Sequence, residues 1–264
     1  MGIGLFLSED CHLASGSSLW LIRTLRNDFS LSERPELNSD HYYLKQLSAE
    51  RLQLCYDIAP PRVKQYLDAE IQYVLNRINS SDVVLELGCG YGRVLEKLTL
   101  KAKQVVGIDT SLPNLMFAKK RLRNISNCSL FQMDAVALGF LDRSFDRVIC
   151  IQNGISAFKV DPKDLISESI RVTRTGGNIL LSSYSEKFWK ERLKWFELQA
   201  EAGLIGEIDW GQTREGRIVC RDGFKATTFG PAEFSSLAPP SQTELNIEEV
   251  DDSSLLCEIK VRNS

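Results

Sequence analysis

The stretch VVLELGCGYGRVLEKL, residues 83–98, decides the fold. Apart from Glu86, its first five residues are apolar and strand-forming, as in a strand buried on both faces. Its last six, RVLEKL, put Val94, Leu95 and Leu98 on one side of a helix. Between the two stand Gly88, Gly90 and Gly92. A turn stripped of side chains lets a ligand lie against backbone and lets the chain enter conformations closed to other residues. The helix that follows aims its first N–H groups at the same place. In open α/β sheets, ligands lodge in the crevice at the carboxyl ends of the strands. Residues 83–98 therefore read as strand, ligand-facing turn and helix, with the Glu86 carboxylate beside the turn.

The alternation continues outward from there. QVVGID (104–109) is a strand and PNLMFAKKRLRN (113–124) a helix. SLFQMD (129–134) and FDRVICI (145–151) are strands. DPKDLISESIRVTR (161–174) is a helix, capped by Asp161, opened by Pro162 and stopped by Gly176 and Gly177. NILLSSY (178–184) is the next strand. This rhythm predicts a parallel sheet with helices on both faces. Upstream, residues 42–58 have helical spacing and end at the Ala59-Pro60-Pro61 break. A second helix, 62–78, turns Val63, Leu67, Ile71, Val74, Leu75 and Ile78 inward. Downstream come an aromatic-rich helix (186–203) and a hairpin with turns at 214–216 and 221–223. A short helix (231–238) follows, then two strands, 243–250 and 254–263, joined at 251–253. The chain divides into a lead-in and helical lid (1–61) and a main domain (62–264), with an insertion at 186–240.

With 264 residues the chain can be one large α/β domain or one domain with an added subdomain, and 43% hydrophobic and 25% charged residues are ordinary for a globular protein. A net charge of −3 supplies no overall attraction to nucleic acid. The seven cysteines are scattered without a CxxC pair, which predicts buried free thiols in a reducing cytosol. The two histidines, His12 and His41, are too far apart for a histidine metal site. The first residues lack a basic region, and Glu9 and Asp10 interrupt their apolar run, so no signal peptide is expected. Phe6 stands where a myristoylation pattern needs Ser or Thr, and no apolar run approaches the ~20 residues of a membrane span. A cytoplasmic protein is expected.

The glycine spacing is GxGxG, not the GxGxxG of a dinucleotide turn. Three carboxylates surround it: Glu86, Asp109 at the end of the second strand and Asp134 after the third. Together they would repel a pyrophosphate. They suit a ligand carrying hydroxyls, an exocyclic amine and positive charge.

On these residues the chain resembles the class I S-adenosylmethionine-dependent methyltransferases. VLELGCGYG, VVGIDTS, FQMDAVALGFLDRSFDRVICI and RVTRTGGNILLSSY look like the family's successive motifs, in order. The resemblance is clearest over residues 62–184. It implies a Rossmann-like, doubly wound α/β sheet of seven strands, mostly parallel with an antiparallel last strand. An N-terminal helical lid and a small β insertion after strand five accompany it. It also implies S-adenosylmethionine as cofactor and in-line transfer of a methyl group to a small-molecule acceptor. Residue by residue, Gly88, Cys89 and Gly90 underlie the methionine and ribose, and Glu86 orients the methionine ammonium. Asp109 accepts the ribose hydroxyls, with Thr110 and Ser111 beside the adenine edge. Asp134 takes the adenine amine and Ala135 offers its backbone. Gln152 and Asn153 face the methionine end and the acceptor, and Arg62 or Tyr56 holds the cofactor carboxylate.

Tyr184, Tyr56 and Asn153 are the candidates for a catalytic role, and no metal is expected. Tyr42, Tyr43, Tyr56, Arg62 and Tyr184, with Trp189, Trp195, Phe196 and Trp210 of the insertion, are candidates for the acceptor wall, and the insertion is also a candidate homodimer interface. QNGI (152–155) stands where amino-methylating nucleic-acid enzymes carry an NPPY-type tetrapeptide, so a nucleic-acid acceptor is not expected. A protein or peptide acceptor, aminopropyl transfer on the same fold, and a non-catalytic sensor or partner subunit that binds S-adenosylmethionine remain alternatives.

Overall fold

The computed structural model describes Tyr42 and residues 46–262; most of the lead-in, including His12, His41 and Tyr43, lies outside the described residues. Among the described residues, α1 (Glu50–Asp57) and α2 (Pro61–Leu75) precede the sheet. Then follow β1 (Val83–Leu87), α3 (Arg93–Leu98), β2 (Gln104–Asp109), α4 (Leu112–Arg121), β3 (Cys128–Gln132), β4 (Phe145–Cys150), α5 (Gly154–Ala157) and α6 (Pro162–Val172). β5 (Thr173–Tyr184) leads through a single 3₁₀ turn into α7 (Trp189–Glu201). The short strands β6 (Arg217–Val219) and β7 (Lys225–Thr227), helix α8 (Pro231–Leu237), and strands β8 (Thr243–Val250) and β9 (Ser254–Val261) complete the chain.

The sheet has seven strands in the order β3-β2-β1-β4-β5-β9-β8. The first five are mutually parallel, and β9 runs antiparallel between β5 and β8. The order reverses between β1 and β4, which opens a crevice at their carboxyl ends. All five residues of β1 are buried, so the strand needs apolar side chains on both faces. Val83, Leu85 and Leu87 join a core with Leu165 and Ile166 of α6 and Phe234 of α8. Val84 joins the opposite core, with Ile71 and Val74 of α2, Leu95 of α3 and Ala118 of α4. Strand side chains alternate between faces, so Glu86 shares the side of Val84.

A third core lies over the strand tips. It joins Leu47, Cys55, Val63, Tyr66 and Leu67 from the N-terminal region to Trp195, Phe196, Ile208, Ile218 and Phe224 from the segment after β5. The Trp195 indole N–H donates to the Cys55 carbonyl at 2.8 Å and ties α7 to α1.

Two expectations about element ends change. Of the helix expected over 42–58, α1 covers Glu50–Asp57, and the described residues just before it, 46–49, form a turn with Ala49 at φ 51. Ala49 gives its N–H to Asn114 Oδ1 on α4 (2.7 Å) instead of continuing a helix. Gly176 and Gly177 do not stop α6, which already ends at Val172. They lie within β5, where pairing to β4 slips between Phe145 and Arg147. A Cβ on Gly177 would come within 2.7 Å of the Asp146 carbonyl, so the slip needs glycine there. Among the described residues, no helix is long and apolar enough to cross a membrane.

Candidate active site

The first turn after β1 takes the shape its glycines permit. Gly88 (φ 68), Gly90 (φ 53) and Gly92 (φ 82) are all left-handed, a region other residues enter only at a cost. The turn is pinned by β2: Cys89 N–H donates to the Ile108 carbonyl (2.8 Å), and Gly90 N–H to Asp109 Oδ2 (2.8 Å). A Cβ built on Gly88 would lie 3.0 Å from the Phe158 ring, which rests against the turn from the loop after α5.

A cavity of about 200 Å³ opens above this turn. Glu86, Gly88, Cys89, Gly90, Asp109, Thr110, Asp134 and Gln152 all line it, so eight of the sequence-derived cofactor residues converge there. Glu86 is 5% exposed, and burial pushes its carboxyl up to about 8, Arg93 pulling it down and Asp109 pushing it further up. Its Oε2, and Nε2 of Gln152, are buried with no hydrogen-bond partner among the described residues. Asp109 accepts Ser111 N–H at Oδ1 (2.7 Å) as well as Gly90 N–H at Oδ2, and burial raises its carboxyl above the usual range. The Asn114 side chain also donates to it, which leaves one of the carboxylate's four lone pairs for a ligand. Among the described residues, the Asp134 carboxylate accepts only Val136 N–H, at 3.1 Å.

Three expected residues lie elsewhere. Arg62 is no part of the cavity wall. It donates to the Asp251 carboxylate (2.6 Å) and carbonyl (2.5 Å), clamping α2 to the β8–β9 turn. Ser111 is buried and caps α4, its hydroxyl accepting Asn114 N–H, and Ala135 is buried in the core. The guanidinium that does reach the cavity is Arg93, directly after the third glycine. It lies 4.4 Å over the Tyr56 ring and donates to the Gln152 side-chain oxygen.

The other half of the cavity is apolar and comes from distant segments: Leu52, Cys55 and Tyr56 of α1, Trp195 and Phe196 of α7, and Phe224 beside β7. Trp189 does not line it and Trp210 is 61% exposed, so the aromatic segment divides between wall and surface. Tyr184 lines the cavity at the end of β5, its ring packed on Tyr66 (5.2 Å) and Phe188 (6.3 Å). Burial raises the Tyr56 and Tyr184 phenols, with Arg93 and Arg192 respectively pulling against it. Asn153 is committed at both ends, its oxygen accepting Ser183 Oγ–H and its nitrogen donating to the Thr227 carbonyl, each at 2.9 Å. Tyr42 is buried and donates its hydroxyl to Asp222, outside the wall. Among the described residues, no group of His, Cys, Asp or Glu is arranged to hold a metal, and the six described cysteines are free thiols.

Residues 84–177 match the family model described as Methyltransferase domain. The chain is 34% identical over 155 residues to a malonyl-(acyl-carrier protein) O-methyltransferase of Marinomonas sp. strain MWYL1, covering 54% of this chain and 55% of that one. It is 34% identical over 102 residues to a demethylmenaquinone methyltransferase of Renibacterium salmoninarum, covering 39% and 41%. The chain thus spans about half the length of the curated relatives it matches. Among solved structures, the N-methyltransferase NodS of Bradyrhizobium japonicum WM9, in complex with S-adenosyl-L-homocysteine, superposes with a TM-score of 0.52. The match is 16% identical and covers 77% of this chain and 89% of that one, a likeness of fold.

Proposed function

As this chain belongs to the class I S-adenosylmethionine-dependent methyltransferase family, we propose that it moves a methyl group from S-adenosylmethionine to a small-molecule acceptor with an apolar body. The observation that carries the cofactor side is the buried Glu86 oxygen without a partner among the described residues, set beside the Gly88–Gly90 turn. An acid so placed costs free energy until a cation or donor meets it. The residues fit the cofactor. Glu86 would take its α-ammonium, Asp109 its ribose hydroxyls, and Asp134 its exocyclic amine. Arg93, rather than Arg62, would take its carboxylate.

The cofactor supplies a methyl group on positively charged sulfur, already activated for attack. The chain's own residues then bind, orient and exclude water, an alignment that contributes up to ~10 kcal/mol to such displacements. The aromatic and aliphatic wall from α1, α7 and β7 would receive the acceptor's body. Relatives named for a malonyl carrier-protein substrate and for demethylmenaquinone support a small-molecule acceptor. Tyr56 and Tyr184, kept protonated by burial, would serve as hydrogen-bond donors rather than bases. Asn153, with both ends of its amide engaged, would act as a fixed wall. On this reading 62–264 is the methyltransferase unit, with α1 of the lead-in and the insertion at 186–240 beside its cavity, in a chain that works in the cytoplasm.

Calorimetry with S-adenosylmethionine and S-adenosylhomocysteine tests the cofactor. Transfer of a labelled methyl group to the small-molecule fraction of a cell extract, with mass identification of the product, tests the reaction. Both ligands should bind, and label should enter a small molecule. Absence of binding would overturn the cofactor reading. Binding with no label in any fraction would make the chain a sensor or partner subunit, and label on a protein's own side chains, rather than on an acyl group it carries, would overturn the small-molecule acceptor.

A further inference from the structure

Glu70 is a buried acid with no place in the cavity wall. It sits in the middle of α2 on the face that also buries Val63, Tyr66, Leu67 and Val74, and it is fully buried. Its Oε2 accepts the Gln152 backbone N–H at 2.7 Å and the Ser182 hydroxyl at 2.9 Å, and its Oε1 accepts the Ser254 hydroxyl at 2.5 Å. Ser182 Oγ also accepts the Gln152 N–H, at 2.6 Å. One carboxyl thus joins α2 to the turn after β4, to β5 and to β9. Burial pushes it up to about 7, the Ser254, Ser182 and Gln152 hydrogen bonds pulling the other way. An apolar side chain would fill this space without the desolvation cost, so the acid calls for a reason beyond packing.

The turn it grips supplies one. Gln152 (φ 60) and Asn153 (φ 58) are consecutive non-glycine residues in the left-handed region, a conformation that persists only where surrounding contacts fix it. Both side chains line the cavity, and the Gln152 oxygen accepts from Arg93. Asn153 is fastened through its side chain to Ser183 and Thr227. Gln152 is fastened through its backbone, and Glu70 and Ser182 are the acceptors.

We propose that Glu70 is a positioning residue for the cofactor cleft: its carboxyl fixes the backbone of the Gln152–Asn153 turn and so sets the Gln152 side chain against Arg93. The inference rests on the cofactor reading above. Glu70 touches neither ligand nor cavity, and it acts through Gln152 on the end of the cleft that would take the amino-acid part of the cofactor.

The test compares S-adenosylhomocysteine affinity by calorimetry in the wild type, Glu70→Leu and Glu70→Gln, each checked for folding by thermal melting. Glu70→Leu keeps the volume and removes the acceptor, and it should bind at least tenfold more weakly. Glu70→Gln offers its carbonyl to the Gln152 N–H and should restore most of that loss, a rescue that volume alone would not give. A folded Glu70→Leu protein that binds like the wild type, or a glutamine no better than leucine, would overturn the proposal. Should Glu70→Leu not fold, Ser182→Ala carries the test. It takes one of two acceptors from the Gln152 N–H and should weaken binding about threefold or more, and unchanged affinity would overturn the proposal. A wild-type protein that does not bind would instead overturn the cofactor reading, and with it this inference.

Discussion

Glu86 and Asp109 reach the cavity from neighbouring strand ends, and a hydrogen bond between residues 19 positions apart locks their turn. Tyr56 and Trp195 reach it from α1 and α7, and the bond joining those helices spans 140 positions. The first half of the cavity is backbone and carboxylate held by short connections. The second is aromatic and aliphatic side chain held by a separate core over the strand tips. Local geometry can therefore present charge and hydrogen-bonding groups to a cofactor, while the shape of the acceptor space depends on how two distant segments pack together. Changes in the first half should act on cofactor affinity with little effect on the second, and the reverse.

The sharpest way to break that division is Gly88→Val. The new side chain would sit at a positive φ and its Cβ would meet Phe158 at 3.0 Å, in the space where a ligand must lie against backbone. Affinity for S-adenosylhomocysteine should fall below detection by calorimetry while the circular dichroism spectrum stays that of the wild type. A folded variant that binds normally would mean the cofactor does not approach this turn. Asp109→Ala comes next. It removes a charge-assisted acceptor for the ribose hydroxyls, about 1.5–3 kcal/mol or roughly a ten- to hundredfold loss of affinity. The Gly90 and Ser111 N–H groups also lose their acceptor, so the melting temperature should drop modestly as well. Full affinity in this variant would place the ribose elsewhere.

The protonation of Glu86 sharpens the same comparison. Its carboxyl sits at about 8 without ligand, so below that pH it carries a proton that an incoming ammonium must drive off. Affinity for S-adenosylhomocysteine should therefore fall as pH drops from 8 to 6, by at most tenfold per unit, and ligand binding near pH 7 should release a proton. Glu86→Gln should bind more weakly at pH 8 and lose most of the slope. Calorimetry in two buffers of different ionisation enthalpy reads the proton, and a pH-independent wild type would mean that Glu86 does not face the ammonium.

The two halves also differed in how much the chain disclosed. The β1 turn could be read because strand, glycines and carboxylate are contiguous, and a carboxylate at the end of a parallel strand falls at the sheet's ligand edge wherever the helices settle. That reasoning loses resolution at a single residue. Ser111 and Ala135 adjoin Asp109 and Asp134 closely in sequence, yet one caps α4 and the other joins the core. Arg62 lies away from the cavity wall because a long side chain goes to whatever acid packing delivers, and Asp251 lies 189 positions away. Arg93 could have been suspected from its place directly after the third glycine, where a cation would adjoin Glu86. Glu70 left a signal too: it interrupts the apolar stripe of α2 between Leu67 and Val74, where only a partnered acid survives. The lid was less legible: Trp195 and Phe196 could be named for the wall only together with Trp189 and Trp210, which do not line it, and Phe224 is indistinguishable in sequence from an ordinary core aromatic until its partners are known.

The mildest test acts on the lid half alone. Trp195→Phe keeps an aromatic ring in the core over the strand tips but removes the N–H that reaches the Cys55 carbonyl at 2.8 Å. A buried hydrogen bond of this kind contributes about 0.5–1.5 kcal/mol, and the orphaned carbonyl and lost ring area add to the cost. Stability to urea should fall by about 1–2 kcal/mol, with α1 losing protection in hydrogen exchange before the strands do. Affinity for S-adenosylhomocysteine should stay within about threefold of wild type, because Glu86, Asp109 and the glycine turn are held by β1 and β2 without help from Trp195. Transfer to the acceptor, in contrast, should slow as its wall loosens. If cofactor affinity fell in step with stability, α1 would be bracing Arg93 through the Tyr56 ring, and the two halves would be one mechanical unit.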